Sequence, residues 1–367
     1  MPIKESSFRI GCGRYVQGEN LLNDCGSEFI RLGKRPLIVG DSVSLEITES
    51  ALRTSATRSG LDCEFVVHDG TCNDDSAKKI AEIKKQRGCD LIVGVGGGVI
   101  MDFAKLCAYF AECPVINIPT SSATCAAYTP LSVRYTPEGK TVGTLHYGYE
   151  VDAVIVDTSI LKNQPVRLLL AGVFDALAKF VEIKQRFRTD AAPGEFPVGL
   201  DYAYVMSEYS YRILTEHTAG SIEDMKLARV SERLEQVIFT SIAATGVISG
   251  IARGSNQCAL GHKFYETTRT LFPEDARNML HGEIVGVGLL LQNMFNGEKQ
   301  NNASLLSLMR KHGMPSSVSE LNVPQTAQTM ALYEEKLRNS SAVEKGNEQE
   351  YARLHECLVA LWEGNLL

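Results

Sequence analysis

The sequence has no C-x-x-C pair, no surplus of positive charge, no internal repeat and no apolar helical run of bilayer length, and each absence removes a class of function. Its ten cysteines fall at 12, 25, 63, 72, 89, 107, 113, 125, 258 and 357 without regular spacing. A chain of 367 residues buries enough apolar surface to fold without disulfide staples, so free thiols and a reducing cytoplasm are expected. The formal charge of −7 argues against a nucleic-acid groove or an anionic membrane surface as the partner. The opening MPIKESSFRI lacks the apolar centre of a signal peptide, and the most apolar helical windows, Val237 to Ala252 and Ile284 to Phe295, fall short of a bilayer span. With no nucleic acid and no membrane, a small-molecule substrate is the expected partner.

What is there centres on Leu91 to Thr124. A short apolar run, Leu91 to Val93, breaks into Gly94, Gly96, Gly97 and Gly98, and Ile100, Phe103, Ala104, Cys107, Ala108 and Phe110 then recur at helical spacing. The glycines therefore precede the first turn of a helix, where free backbone N–H groups and the positive end of the helix dipole suit an anion such as a pyrophosphate. An ordinary tight turn would use the same residues. The sequel favours a ligand: a second strand, Val115 to Ile118, runs into Pro119-Thr120-Ser121-Ser122-Ala123-Thr124, and open α/β sheets bind ligands where such loops leave the carboxyl ends of neighbouring strands.

Around this stretch, strands at Phe8 to Val16, Pro36 to Val39 and Cys63 to His68 alternate with helices at about Gly18 to Leu32, Ser42 to Ser59 and Asp75 to Gln86, the pattern of a doubly wound parallel sheet. Leu131 to Tyr135 and Val142 to Tyr147 flank a Pro137-Glu138-Gly139 turn, and Ala153 to Val156 is the last strand. From Ser159 onward helical periodicity takes over, through Val166 to Phe187, Asp201 to Leu214, Ile222 to Ile251, Gln257 to Leu271 and His281 to Phe295. The expected organisation is an α/β dinucleotide-binding domain over residues 1–158 and an all-α domain over 159–367.

The helical part contains a candidate metal constellation. Asp175 is an acid among apolar neighbours, and a carboxylate buried alone is costly. With His262 and His281, each on a separate helix, it would form a three-ligand shell for Zn²⁺ or Fe²⁺ with an open position. The bland alternatives are a histidine that caps a helix and an aspartate paired with Lys179 one turn away.

In combination the motifs resemble the iron-containing alcohol dehydrogenase and glycerol dehydrogenase superfamily, whose fold is dehydroquinate synthase-like. They are Gly96-Gly97-Gly98-x3-Asp102-x-Ala104-Lys105, Pro119-Thr120-x3-Thr124-x-Ala126, Leu131-Ser132-Val133-x-Tyr135, Ala171-Gly172-x2-Asp175-x-Leu177-Ala178-Lys179 and His281-Gly282-Glu283. The resemblance implies a Rossmann-like N-terminal domain and a helical C-terminal domain, with nicotinamide and metal meeting in a cleft. It implies that Gly96, Gly97, Gly98 and Asp102 serve the pyrophosphate, and that Thr120, Ser121, Thr124, Thr129, Leu131 and Tyr135 line the cofactor site. It implies Asp175 and His281 as metal ligands, with His262 as the third across a short insertion around Pro273 to Arg277; Lys263 would align if the insertion were shorter. The chemistry implied is hydride exchange between NAD(H) and a small alcohol, polyol or 2-hydroxy acid, with the metal polarising the substrate oxygen. His146 and Tyr135 are candidate proton-relay members, and a homo-oligomer is expected.

Two positions refine this expectation. Asp41 follows the strand Leu37 to Val39, where a carboxylate can bind the adenosine ribose and repel a 2′-phosphate, so NAD is expected over NADP; the alternative is a helix cap. Cys125 stands where glycerol dehydrogenases carry an aspartate that grips the polyol, and a thiol is a weak substitute. The run Ala123 to Val133 is closer to a hydroxycarboxylate dehydrogenase-like subgroup. Alternatives on the same architecture are a glycerol-1-phosphate dehydrogenase, a sugar-phosphate cyclase of the dehydroquinate synthase type, or a non-catalytic nucleotide-binding protein.

Overall fold

The computed structural model describes residues 10–186, 198–252 and 257–367. Phe8 and Phe187, assigned above to a strand and a helix, lie outside them.

Among the described residues, six strands form one parallel sheet. In chain order they are β1 (Tyr15–Gly18), β2 (Pro36–Gly40), β3 (Glu64–Val67), β4 (Leu91–Gly96), β5 (Val115–Pro119) and, after a hairpin, β8 (Ala153–Asp157). The spatial order β1-β8-β5-β4-β2-β3 is that of a wound α/β sheet. β2, β4, β5 and β8 are buried along their whole length, which explains why their sequences are apolar runs without alternation. Their side chains join Leu22, Phe29, Leu45 and Leu52 in a single core cluster. β6 (Leu131–Tyr135) and β7 (Thr141–His146) make a separate antiparallel hairpin.

The winding positions three loops together. The chain passes outward from β2 to β3, then returns to lay β4 on the other side of β2 before adding β5, so the direction of winding reverses between β2 and β4. Gly40 pairs with Val95, and Gly96 with Pro119. The loops that begin at Asp41, Gly97 and Thr120 therefore leave the same edge of the sheet side by side, at the switch point where such sheets bind ligands.

Among the described residues, contacts gather 10–165 and Gly220–Val247 into one compact unit, and Val166–Ala219 and Ile248–Leu367 into another. This departs from a single division after residue 158. Gly220–Val247 is helical, as its periodicity implies, yet it packs on the sheet-bearing residues. The Gln17 amide donates to the Glu235 carbonyl at 2.9 Å, the Phe239 ring meets Tyr15 edge-on at 5.6 Å, and a Cβ on Gly246 would lie 2.3 Å from the Tyr128 ring.

Helices in both halves also differ in detail from their periodicity. The helix expected over Gly18 to Leu32 is reduced to Gly26–Ile30 after a short 3-10 turn. Val198–Lys226 is one helix, and Glu232 opens the next behind an N-cap at Ser231. Through a π-helical turn at Thr240–Ala244 this second stretch reaches Ala252, giving 21 residues where the apolar window alone suggested a shorter helix. It has the length and composition of a membrane span, and 61% of its apolar window is buried within the fold, as in a core helix.

Candidate metal centre and nucleotide loop

Three helices carry the expected ligands: Val166–Arg186 holds Asp175, Leu260–Leu271 holds His262, and His281–Phe295 begins with His281. All belong to the second unit. Such helices meet closely only where side chains vanish from the contact. A Cβ on Gly282 would stand 1.8 Å from the Ala171 carbonyl oxygen, and one on Gly288 would stand 2.6 Å from the Gly261 carbonyl oxygen. Glycine at these two positions lets the His281 helix lie against the other two.

The start of the His281 helix is fixed by charge as well. Glu283, with a side chain only 2% exposed, accepts the Leu280 N–H at 2.7 Å in the manner of a capping box. Arg167 grips its two oxygens at 2.6 and 2.7 Å, and donates to the Asn278 carbonyl at 2.7 Å. A bidentate pair of this kind sets direction as well as distance. His281 is thereby held at the first helical position, with Tyr265 edge-on to its ring at 4.2 Å.

The ligand atoms converge. Asp175 Oδ1 lies 3.3 Å from His262 Nε2 and 3.4 Å from His281 Nε2, and one atom from each of the three residues falls within 4.8 Å of the others. Ligands of a tetrahedral ion at ordinary Zn–N and Zn–O lengths stand ~3.4 Å apart. Among the described residues Asp175 Oδ1 is fully buried and has no aligned hydrogen-bond donor, although three nitrogens, those of the two imidazoles and the Lys179 ammonium, face it. An orphaned buried carboxylate oxygen of this kind calls for a cation, so the donor set fits a divalent metal. The Lys179 ammonium lies 3.6 Å from Asp175 Oδ1 and 3.3 Å from His262 Nε2.

Electrostatics prepares the same atoms. Burial opposes ionisation of Asp175, but the Lys179 charge and the two imidazoles outweigh it and hold the carboxyl well below its ordinary pKa. Burial lowers the pKa of His281, with Asp175 opposing, which favours the neutral ring that a metal requires. His262 goes the other way: burial would lower its pKa, but the Glu182 carboxylate raises it, so without an ion the ring holds both hydrogens and metal binding releases the one on Nε2.

In the first unit, the helix Gly98–Ala111 starts behind Gly97, which offers no side-chain cap to its first turn. Around this glycine pair stand Ser121, whose Oγ is 3.7 Å from a Cβ on Gly97, and Thr124, whose Oγ1 is 3.0 Å from one on Gly98. Asp41 Oδ2 is 2.8 Å from a Cβ on Gly96, and Thr120 Oγ1 is 3.0 Å from Ser44 Oγ. The result is a side-chain-free backbone cradle at the start of a helix, whose first N–H groups have no acceptor within the helix, and it fits a pyrophosphate. Asp41 also caps the helix Ser42–Arg58, accepting from the Ser44 N–H and Oγ at 2.8 Å each.

Other expected cofactor residues act from behind this cradle. Asp102 is turned inward: it pairs with Lys105 at 2.9 Å and accepts the Val133 N–H at 3.0 Å. Lys105, which sequence reasoning left without a role, is 2% exposed and donates to the carbonyls of Ala126, Thr129 and Leu131, the last in a short contact. Thr129 and Leu131 are thus held through their backbones. Tyr135 ends β6, where its N–H donates to the Cys72 carbonyl at 2.8 Å. The Cys125 carbonyl accepts from Tyr128 and Thr129, while His146 is exposed on β7.

Known proteins resemble this chain in sequence and in fold. The family described as iron-containing alcohol dehydrogenase has a sequence model that matches residues 12–158. A glycerol dehydrogenase from Pseudomonas putida is 30% identical over 321 residues, 86% of this chain and 86% of that one. The chain belongs to the iron-containing alcohol dehydrogenase family. Within the family, hydroxycarboxylate dehydrogenase A of Escherichia coli (strain K12) is 29% identical over 266 residues, 71% of this chain and 70% of the other. The crystal structure of glycerol dehydrogenase from Schizosaccharomyces pombe superposes with a TM-score of 0.82 at 22% identity, covering 98% of this chain and 93% of that one, and so shares the fold. Membership makes the chain an oxidoreductase of the alcohol and polyol dehydrogenase type, with a nicotinamide cofactor and a divalent metal.

Proposed function

We propose that this protein interconverts a small 2-hydroxy acid or related alcohol and its carbonyl form, using NAD(H) and one divalent ion, Zn²⁺ or Fe²⁺, held by Asp175, His262 and His281. The observation that carries the metal assignment is the orphaned Asp175 oxygen flanked by two imidazole nitrogens at tetrahedral spacing. When bound, the ion supplies Lewis acidity to a substrate oxygen and the nicotinamide accepts or donates hydride. The protein's own residues bind and orient. Gly97, Gly98, Ser121 and Thr124 cradle the pyrophosphate, and Lys105 and Asp102 hold the following loop in shape. Asp41 favours NAD through its charge while capping its helix.

Cys125 supports the hydroxy acid over glycerol. Without a carboxylate at this position a polyol loses a charged hydrogen bond, about 1.5–3 kcal/mol, and an anionic substrate loses a repulsion. A screen of alcohols, hydroxy acids and their carbonyl partners with NADH and NADPH, with added Zn²⁺, Fe²⁺ or Mn²⁺, tests the reaction class. Steady-state kinetics on glycerol and 2-oxobutyrate then test the substrate: a higher kcat/KM is expected for 2-oxobutyrate, and a clear preference for glycerol would reject this role of Cys125. A homo-oligomeric state and a cytoplasmic location are part of the same proposal, supported by family membership and by the free cysteines.

A further inference from the structure

Glu182 lies two helical turns beyond Asp175 on the same helix and is completely buried. No motif above drew attention to it. Its Oε1 accepts the backbone N–H groups of Ala259 and His262 at 2.7 and 2.8 Å, at the start of the His262 helix. Its Oε2 makes a short hydrogen bond with His262 Nδ1.

An ionised carboxylate only accepts, so the ring nitrogen facing it must be the one that carries hydrogen. The two backbone bonds fix where the carboxylate stands, and the ring is pinned in plane and in direction. Nε2 makes no aligned hydrogen bond to Asp175 Oδ1, 3.3 Å away, and faces the Lys179 ammonium, which can only donate, at 3.3 Å, so in the neutral ring its electron pair is turned toward the ligand cluster. We propose that Glu182 is a positioning residue for the metal: it holds His262 with hydrogen on Nδ1 and the electron pair of Nε2 directed at the ion. This rests on the reading of Asp175, His262 and His281 as the ligands.

The competing role is structural, since Glu182 also caps the first turn of the His262 helix. Glu182→Gln separates the two. The amide oxygen still accepts the two backbone N–H groups, but the amide nitrogen donates, so it satisfies Nδ1 only when the ring hydrogen moves to Nε2, where it blocks coordination. The zinc dissociation constant, measured by competition with a chromophoric chelator, should rise about 10- to 100-fold, while circular dichroism shows the metal-free variant folded as the unmodified chain is. In the zinc-loaded unmodified protein, labelled with ¹⁵N-histidine, His262 should show a slowly exchanging Nδ1–H. A Glu182→Gln variant that binds zinc within twofold of the unmodified chain, or a loaded His262 that carries its hydrogen on Nε2, overturns the proposal even if the ligand assignment stands. If the unmodified chain and His281→Ala take up zinc equally, the ligand assignment itself fails, and this inference falls with it.

Discussion

Gly282→Ala is a one-methyl change that sets two opposed effects against each other. Intrinsic propensity favours alanine over glycine inside a helix by about 1 kcal/mol, so the substitution would stabilise an isolated helix. In the fold, the new Cβ would stand 1.8 Å from the Ala171 oxygen, 2.5 Å from its carbonyl carbon and 2.7 Å from its Cα. These are backbone atoms that cannot rotate away, and Cβ contacts under 3.0 Å are essentially never seen. The two helices must therefore part by about 1 Å or more, and overpacking of this kind costs about 1–3 kcal/mol, outweighing the propensity gain. The displacement falls on the metal ligands, because Ala171 is one turn before Asp175 and Gly282 follows His281. A shift of about 1 Å is several times the ±0.2 Å that a metal site tolerates. Urea denaturation with and without zinc reads both effects. Metal-free stability should fall by about 1–3 kcal/mol, and the added stability that zinc confers should shrink or vanish. A variant as stable as the unmodified chain, with undiminished stabilisation by zinc, would refute the claim that this glycine contact sets the ligand geometry.

Other sites give independent tests. Replacing Asp41 by Ser should keep the helix cap but remove the charge, narrowing the preference for NAD over NADP in kcat/KM; equal use of both cofactors by the unmodified chain would sink the assignment. Asp224 is fully buried beneath Arg229 and Arg233 and accepts from Ser231, and these partners, Arg233 foremost, hold its carboxyl well below the ordinary range. A depressed carboxylate contributes stability that is complete above its unfolded pKa of about 3.9 and is lost as pH falls toward the folded value. Asp224→Asn should therefore cost about 1–3 kcal/mol at pH 7, and the gap to the unmodified chain in urea midpoints should close as pH drops below about 4. A gap that does not change with pH would show that the ionised form is not what matters.

Legibility in the sequence followed physical range. The wound sheet and its glycine turn were readable because their causes are local: apolar runs for strands buried on both faces, and glycines where a helix starts. The Asp175, His262 and His281 constellation was visible as residue types, but their convergence depends on glycines 282 and 288 admitting close helix packing, which no spacing encodes. Glu182 was missed, and Lys105 was named in a motif without a role, for one reason: a charged residue in an apolar stretch looks like an exposed face until its partners, 80 and about 25 residues away, are known. Gly220–Val247 joined the sheet-bearing unit through contacts with Gln17, Tyr15 and Tyr128, and helical periodicity alone says nothing about which body a helix packs on.

The central claim is that Asp175, His262 and His281 hold a single divalent ion. Metal content by mass spectrometry, on the unmodified chain and on His281→Ala after equilibration with zinc and removal of excess, tests it most directly. One equivalent per chain is expected in the first and well under one in the second, with circular dichroism unchanged and turnover lost. A stoichiometric ion and normal turnover in His281→Ala would contradict the account.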